Sequence, residues 1–201
     1  MKRTLLCLLF VVFIGLTSNA QFSKTHYIPP LSNSNSMNIG NKFIYISTPS
    51  ITPINVQLKE IGGNTISATV SSITPFVYNL NLGFSDQLFV SSNQLNQVLS
   101  NKGYIVEAED VVYVSVRVDT ADGNQAGALL SKGLASLGKE FRIGGFLNTL
   151  VQGYSAIHYT FISVLATENN TEVNFTDIKP NATLLNSDNG SQPFTVILNS
   201  G

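Results

Sequence analysis

The stretch Asp110 to Asp119, DVVYVSVRVD, sets Val112, Val114, Val116 and Val118 on one side of an extended chain and Val111, Tyr113, Ser115 and Arg117 on the other. A valine at every second position suits a pleated, half-buried surface and predicts a central or half-buried strand. Upstream, β-branched and aromatic runs bounded by Gly, Asn, Pro and Ser predict strands over Lys42 to Thr48, Ile54 to Ile61, Thr65 to Ser71, Phe76 to Leu82 and Gln87 to Ser91. Gly62-Gly63-Asn64 supplies a hairpin turn between the second and third of these, because glycine accepts the positive φ that tight hairpins need. Downstream, strands are expected over Glu140 to Gly144, Ile157 to Ala166, Glu172 to Ile178 and Phe194 to Asn199.

Two stretches read differently. Asn93 to Ser100 brings Leu95, Val98 and Leu99 together at helical spacing, with Gly103 to stop a short helix. Ala126 to Leu137, AGALLSKGLASL, is interrupted by Gly127 and Gly133 and followed by Gly138, so it reads as an irregular packed loop, with one helical turn as the alternative. The expected fold is therefore all-β and antiparallel, propeller-like or a sandwich, with four or five short strands per unit.

The unit is repeated. Tyr45 to Val56, YISTPSITPINV, returns as Val164 to Phe175, VLATENNTEVNF, matching Thr48 with Thr167, Thr52 with Thr171 and Asn55 with Asn174. TPFVYNLNLG, Thr74 to Gly83, returns as QPFTVILNSG, Gln192 to Gly201. Internal repeats mark a supersecondary unit that needs neighbours to bury its apolar face. The first copy is assigned to about 42–122 and the second, incomplete, to about 137–201, which implies a longer polypeptide. A short second copy leaves strand edges unpaired, so Gln21 to Gly201 alone is expected to be marginal or aggregation-prone.

The first twenty residues have the form of a secretory signal peptide: Lys2 and Arg3, an apolar run from Leu5 to Leu16, then Ser18-Asn19-Ala20. The run is about 12 residues where a spanning helix needs roughly 20, so cleavage is expected and no transmembrane segment afterwards. Residues 21–41 follow as an extension or loop, with Ser32 to Asn41, SNSNSMNIGN, its most polar part. The lone cysteine, Cys7, lies inside the signal, so the mature chain has no thiol for a disulfide, a metal site or nucleophilic catalysis. Exported animal modules are usually disulfide-rich; a cysteine-free one suggests a bacterial envelope or surface protein, secreted or on the outer cell surface.

Without Lys2 and Arg3 the chain has 9 basic and 12 acidic residues, a net charge of −3, which offers no basic face for nucleic acid. Charged residues are only 11% of the whole, against 21 Asn, 22 Ser and 16 Thr, so recognition is expected to rest on hydrogen bonds and shape.

Candidates for chemistry are few. His158 lies in an alternating run, where a strand histidine with a local hydrogen bond is the ordinary reading; His26 could pair with it, but no third ligand stands at zinc spacing. Glu107, Glu109 and Asp110 form the acidic cluster EAED, with the two glutamates on one side of a strand, a solvated edge rather than a glycosidase pair. Asp119 to Asn124, DTADGN, resembles a calcium loop but lacks its alternating spacing and downstream glutamate, and reads as an Asp-Gly turn. Neither a catalytic residue nor a metal or other cofactor is expected. The sequons beginning at Asn169, Asn174, Asn181 and Asn189 are attributed to asparagine richness.

LGKEFRIGGF (Leu137 to Phe146), FISVLATENNTEVNF (Phe161 to Phe175) and PFTVILNSG (Pro193 to Gly201) together resemble the IgGFc-binding-protein N-terminal domain family, in the version found in large exported surface and gliding-associated proteins of Bacteroidetes. The resemblance is direct from about Gly123 onward and reaches back to about Asn41 through the repeat. It implies a non-enzymatic extracellular binding or adhesion module at the N-terminus of a larger protein, with a protein or glycan ligand on another surface. It transfers no binding residues and not Fc binding itself, and this chain lacks the cysteines of the animal form.

The residues support a local reading of the shared phrase. Ala166 to Thr171 is expected to be a hairpin turn in which Asn169-Asn170 adopt left-handed conformations and threonines close the loop. Glu168, Asn169, Asn170 and Thr171 are the candidate ligand-contacting loop, though TPSITP in the first copy favours shared geometry over shared chemistry. The rival functions are a structural spacer presenting downstream domains and, more remotely, part of an envelope hydrolase.

Overall fold

The computed structural model describes residues 21–32, 39–81, 87–121, 126–145, 160–182, 184, 186–187 and 190–201. The expected signal peptide, most of the 32–41 loop, Asp122 to Asn124, His158, Thr183, Asn189 and the start of the 157–166 run lie outside the described residues. Eleven strands follow one another: β1 (Ser23–Ile28), β2 (Leu31–Ser32), β3 (Ile39–Ser47), β4 (Ile54–Glu60), β5 (Thr65–Val70), β6 (Phe76–Asn79), β7 (Phe89–Val90), β8 (Tyr104–Thr120), β9 (Ala126–Ser131), β10 (Thr171–Phe175) and β11 (Phe194–Leu198). Among the described residues, helical structure is confined to short 3-10 turns at Ser92–Gln94 and Gly133–Ser136. The all-β, antiparallel expectation holds; the one parallel strand pair is the short contact of β2 with β7.

The valine-rich strand is the axis of the molecule. It runs for 17 residues, longer than DVVYVSVRVD alone suggests, and divides into two halves with different neighbours. Its first half, Tyr104 to Ala108, is flanked by β1 on one edge and β4 on the other, as His26↔Val106↔Leu58 illustrates. Its second half lies between β9 and β3, as in Leu129↔Val116↔Ile44. The register on β1 jumps between Ser23↔Val112 and Thr25↔Glu107, so residues 108–111 form a bulge where the strand passes from one set of partners to the next. Beyond them β5 pairs with β4 and β6 with β3, while a Ser71↔Thr74 bridge draws β5 and β6 together into a nearly closed, barrel-like sheet.

The alternation persists through the bulge. Tyr104, Val106, Val112, Val114 and Val116 all point inward and are at most 1% exposed. They meet Ile44 and Ile46 from β3 and Val56 and Leu58 from β4, each also fully covered. Burying one such side chain contributes roughly 1.5–3 kcal/mol, so the face is set by sequence period and held by area. Lys42 shares the inner phase of β3 and is wholly covered, its Nζ donating to the carbonyls of Gly40 and Asn81. Burial pushes its amine below the usual lysine value, against the pull of Asp119.

Several expectations are corrected. Within Ala126 to Leu137, Ala126–Ser131 is a strand and not a loop, because the edge of β8 supplies hydrogen-bond partners that outweigh the poor strand propensity of AGALLS, while Gly133–Ser136 forms the single helical turn given as the alternative. Residues 23–28, assigned to the extension, form β1 inside the main sheet. The expected helix at Asn93 to Ser100 is only the 3-10 turn Ser92–Gln94. Glu140 to Gly144 and residues 160–165 form no strand, and no ladder partner lies against them among the described residues. β10 pairs with β11 instead of hairpinning onto the preceding run. In the first copy the strand matching β11, which is β6, pairs with β3 and not with β4, so the two copies share elements and differ in pairing.

Candidate functional site

Strand alternation that sends Ile54, Val56 and Leu58 into the core leaves Asn55, Gln57 and Lys59 on the outer face of β4. Opposite them, β5 presents Thr69 across from Asn55 and Ser67 across from Gln57. β8 adds Glu107 across from Gln57 and, from its bulge, Glu109 against Asn55. Together with Val56 and Ala68, the residues Asn55, Gln57, Ser67, Thr69 and Glu109 line an open groove of roughly 420 Å³.

Its electrostatics are settled internally. Glu109 accepts the Asn55 backbone N–H at 2.8 Å through Oε2 and the Asn55 amide at 2.8 Å through Oε1. The backbone bond, then the side-chain bond, holds its carboxyl below the usual glutamate value. Glu107 accepts from Lys59 Nζ at 2.7 Å, a surface ion pair. A general acid needs a raised pKa, so the shift on Glu109 runs against acid–base work by this pair. What remains for a ligand is an array of amide and hydroxyl groups beside the ionised Glu109 carboxylate. Among the described residues no three His, Cys, Asp or Glu side chains gather as a metal site requires.

His26 is fully buried at the junction of β1, β8 and β9. Its Nε2 faces the carbonyls of Val112 at 2.9 Å and Ser23 at 3.2 Å, so the proton sits on Nε2 and donates to them. Nδ1, 3.0 Å from Ser131 Oγ, accepts that hydroxyl. Burial pushes the imidazole below the usual histidine value, although the bonds to Val112 and Ser23 oppose it. The arrangement is structural: the ring is closed off from any ligand.

The loop candidates behave as a turn. Asn170 takes a positive φ of 57°, while Asn169 does not; Thr171 Oγ1 donates to the Glu168 carbonyl at 2.7 Å. Asn169 Oδ1 accepts from Ser200 N–H and Asn199 Oδ1 from Asn170 N–H, both at 3.1 Å, and Ala166 bridges Ser200. ATENNTEV and LNSG, the two repeated phrases, are therefore fastened to each other. Asp119 likewise serves its own fold, accepting the backbone N–H of Asn41 and its side-chain amide.

A second feature escaped the reading of the sequence although its signal is plain. The tetrapeptide SITP occurs twice, at Ser50–Pro53 and Ser72–Pro75. The two copies sit side by side, joined by Ser72 N–H donating to the Ser50 carbonyl at 2.7 Å, and their isoleucines are the most exposed large apolar residues described: Ile51 87%, Ile73 89%.

Compared with known proteins, the chain matches no family model, no curated protein and no solved structure.

Proposed function

We propose that this chain is a non-enzymatic extracellular binding module at the N-terminus of a larger secreted or cell-surface protein, and that the groove on β4, β5 and β8 receives a neutral polar ligand of the saccharide class. The observation that carries this reading is the groove itself. Asn55, Gln57, Ser67 and Thr69 form a pre-set hydrogen-bonding array on a rigid sheet, beside a carboxylate that stays ionised as an acceptor. Saccharides offer matching hydroxyls and carry no charge, which suits the scarcity of charged residues. The resemblance carried by Leu137 to Phe146 and ATENNTEV points to the same class of protein.

Amide chemical-shift mapping with a panel of neutral oligosaccharides tests the reading. Saturable shifts centred on β4 and β5, lost in a Gln57→Ala/Thr69→Ala double variant, are expected. If no saccharide moves these amides, and deleting the region leaves surface attachment unchanged, the spacer reading replaces it.

A further inference from the structure

We propose that the paired SITP loops form an apolar knob that docks a second copy of this chain, at the exposed surface made by Leu137, Phe141, Ile143, Phe161, Ile162 and Val164. The proposal is independent of the groove. Single exposed apolar residues are ordinary on a protein surface; two adjacent isoleucines on braced loops are a different matter. Thr48 Oγ1 donates to the Val111 carbonyl at 2.8 Å, Ser50 N–H donates to Thr48 Oγ1 at 3.2 Å, and Ser50 Oγ to the Thr52 carbonyl at 2.7 Å. The other loop is closed by the reciprocal Ser71–Thr74 backbone bonds. Pro53 and Pro75 stiffen both exits. A braced knob loses little freedom on docking, which favours binding.

The receiving surface lies on the same chain. Leu137, Phe141 and Ile143 are 45–62% exposed, and Phe161, Ile162 and Val164 41–48%. The two stretches meet where Gly145 packs on the Thr160 side chain. Charge favours the pairing. The knob is anchored beside Glu109 and Asp110, with Lys24 reaching the Glu109 carbonyl, a net excess of acid. The receiving stretches, 137–143 and 160–164, carry Lys139 and Arg142 against Glu140, which pairs with Arg142 at 3.3 Å, leaving one net positive charge. A lipid surface fits less well: no cation sits in either SITP loop, and two isoleucines carry little more than half the carbons of a myristoyl chain, itself only a marginal anchor. Because knob and receiving surface are different patches, each copy offers both halves of the contact, which propagates head-to-tail or closes when two copies engage reciprocally.

Sedimentation velocity of the full chain over a concentration series reads this directly, with circular dichroism confirming that each variant keeps its strands. Wild type should associate with rising concentration, to a dimer or beyond. Ile51→Ser/Ile73→Ser should weaken association at least about tenfold, as removal of central anchors does. Phe141→Ser/Ile162→Ser should do the same. An equimolar mixture of the two variants should give a one-to-one heterodimer and nothing larger, since each supplies only one half of the contact. A wild type that stays monomeric throughout overturns the proposal, as does association unchanged by the knob variant, or a mixture that forms no heterodimer. Knob-dependent binding to phosphatidylcholine vesicles without self-association would replace it with a lipid surface.

Discussion

Replacing His26 with leucine tests how β1 is held to the sheet. The imidazole is the junction of three strands: it donates to Val112 and Ser23 carbonyls and accepts from Ser131. Leucine fills similar space but leaves the Val112 carbonyl and the Ser131 hydroxyl without the ring. Each buried polar group so stranded costs about 1–3 kcal/mol. The Ser131 hydroxyl can turn to the Tyr27 carbonyl, 3.4 Å away, so the lower end applies to it. A net loss of about 2–4 kcal/mol follows, which for a chain of this size lowers Tm by roughly 5–15 °C.

The pH dependence carries the sharper test. Folding lowers the His26 pKa, so the unfolded chain binds the proton more readily. Wild-type stability should be full above the ordinary histidine value of about 6.5 and fall as pH drops through that value toward the folded one. His26→Leu removes this loss, so the gap between wild type and variant should narrow from pH 7.5 to pH 5.5. Urea denaturation at the two pH values measures it. A gap that is constant with pH, or that widens on acidification, would refute the neutral, Nε2-protonated assignment and the argument built on it.

Two further outcomes concern other contacts. Gly40→Ala should lower stability by more than about 2 kcal/mol in thermal denaturation, since a Cβ there would stand 2.7 Å from the Thr120 backbone and closer still to Asp119 Oδ1. An unchanged Tm would show that β3 and the end of β8 are not so closely packed. For Glu109, carboxyl titration by NMR should place its pKa below the usual glutamate value, and Asn55→Ala should raise it part of the way, since it removes the side-chain bond and keeps the larger contribution of the Asn55 backbone N–H. The stability it contributes is present above the ordinary glutamate pKa and fades as pH falls through the folded one, and a titration indifferent to Asn55→Ala would sink the assignment.

Where the sequence carries a local signal, the fold is legible. The valines of β8 announce their own face, and Gly62, at φ 71°, turns β4 into β5 as the Gly-Gly-Asn run foretells. Elements whose shape depends on distant partners are not. AGALLS and SKTHYI have no strong strand pattern; each is a strand because it lies along β8. Conversely, Glu140 to Gly144 and 160–165 have strand-like composition but no strand to pair with among the described residues. The groove is in the same position, since only the β4–β5–β8 register brings Asn55, Thr69 and Glu109 together. The SITP pair was legible as a repeat, but only the Ser72–Ser50 hydrogen bond reveals that the copies touch.

The place of β8 in the chain has a consequence for how the molecule is made. β1, β3 and β4 all precede it, and each finds its ladder on it: Ser23 with Val112, Ile44 with Val116, Leu58 with Val106. On a ribosome these early strands lack their ladder on β8 until residues 104–120 emerge; among the described pairs the β4–β5 hairpin, the β3–β6 pair and the short β2–β7 contact can form beforehand. Such long-range pairing makes folding slow, and the waiting strands expose apolar faces meanwhile. Synthesis speed through the first hundred residues, and any factor that shields nascent strands, should therefore govern the yield of folded protein more than the stability of the finished sheet does.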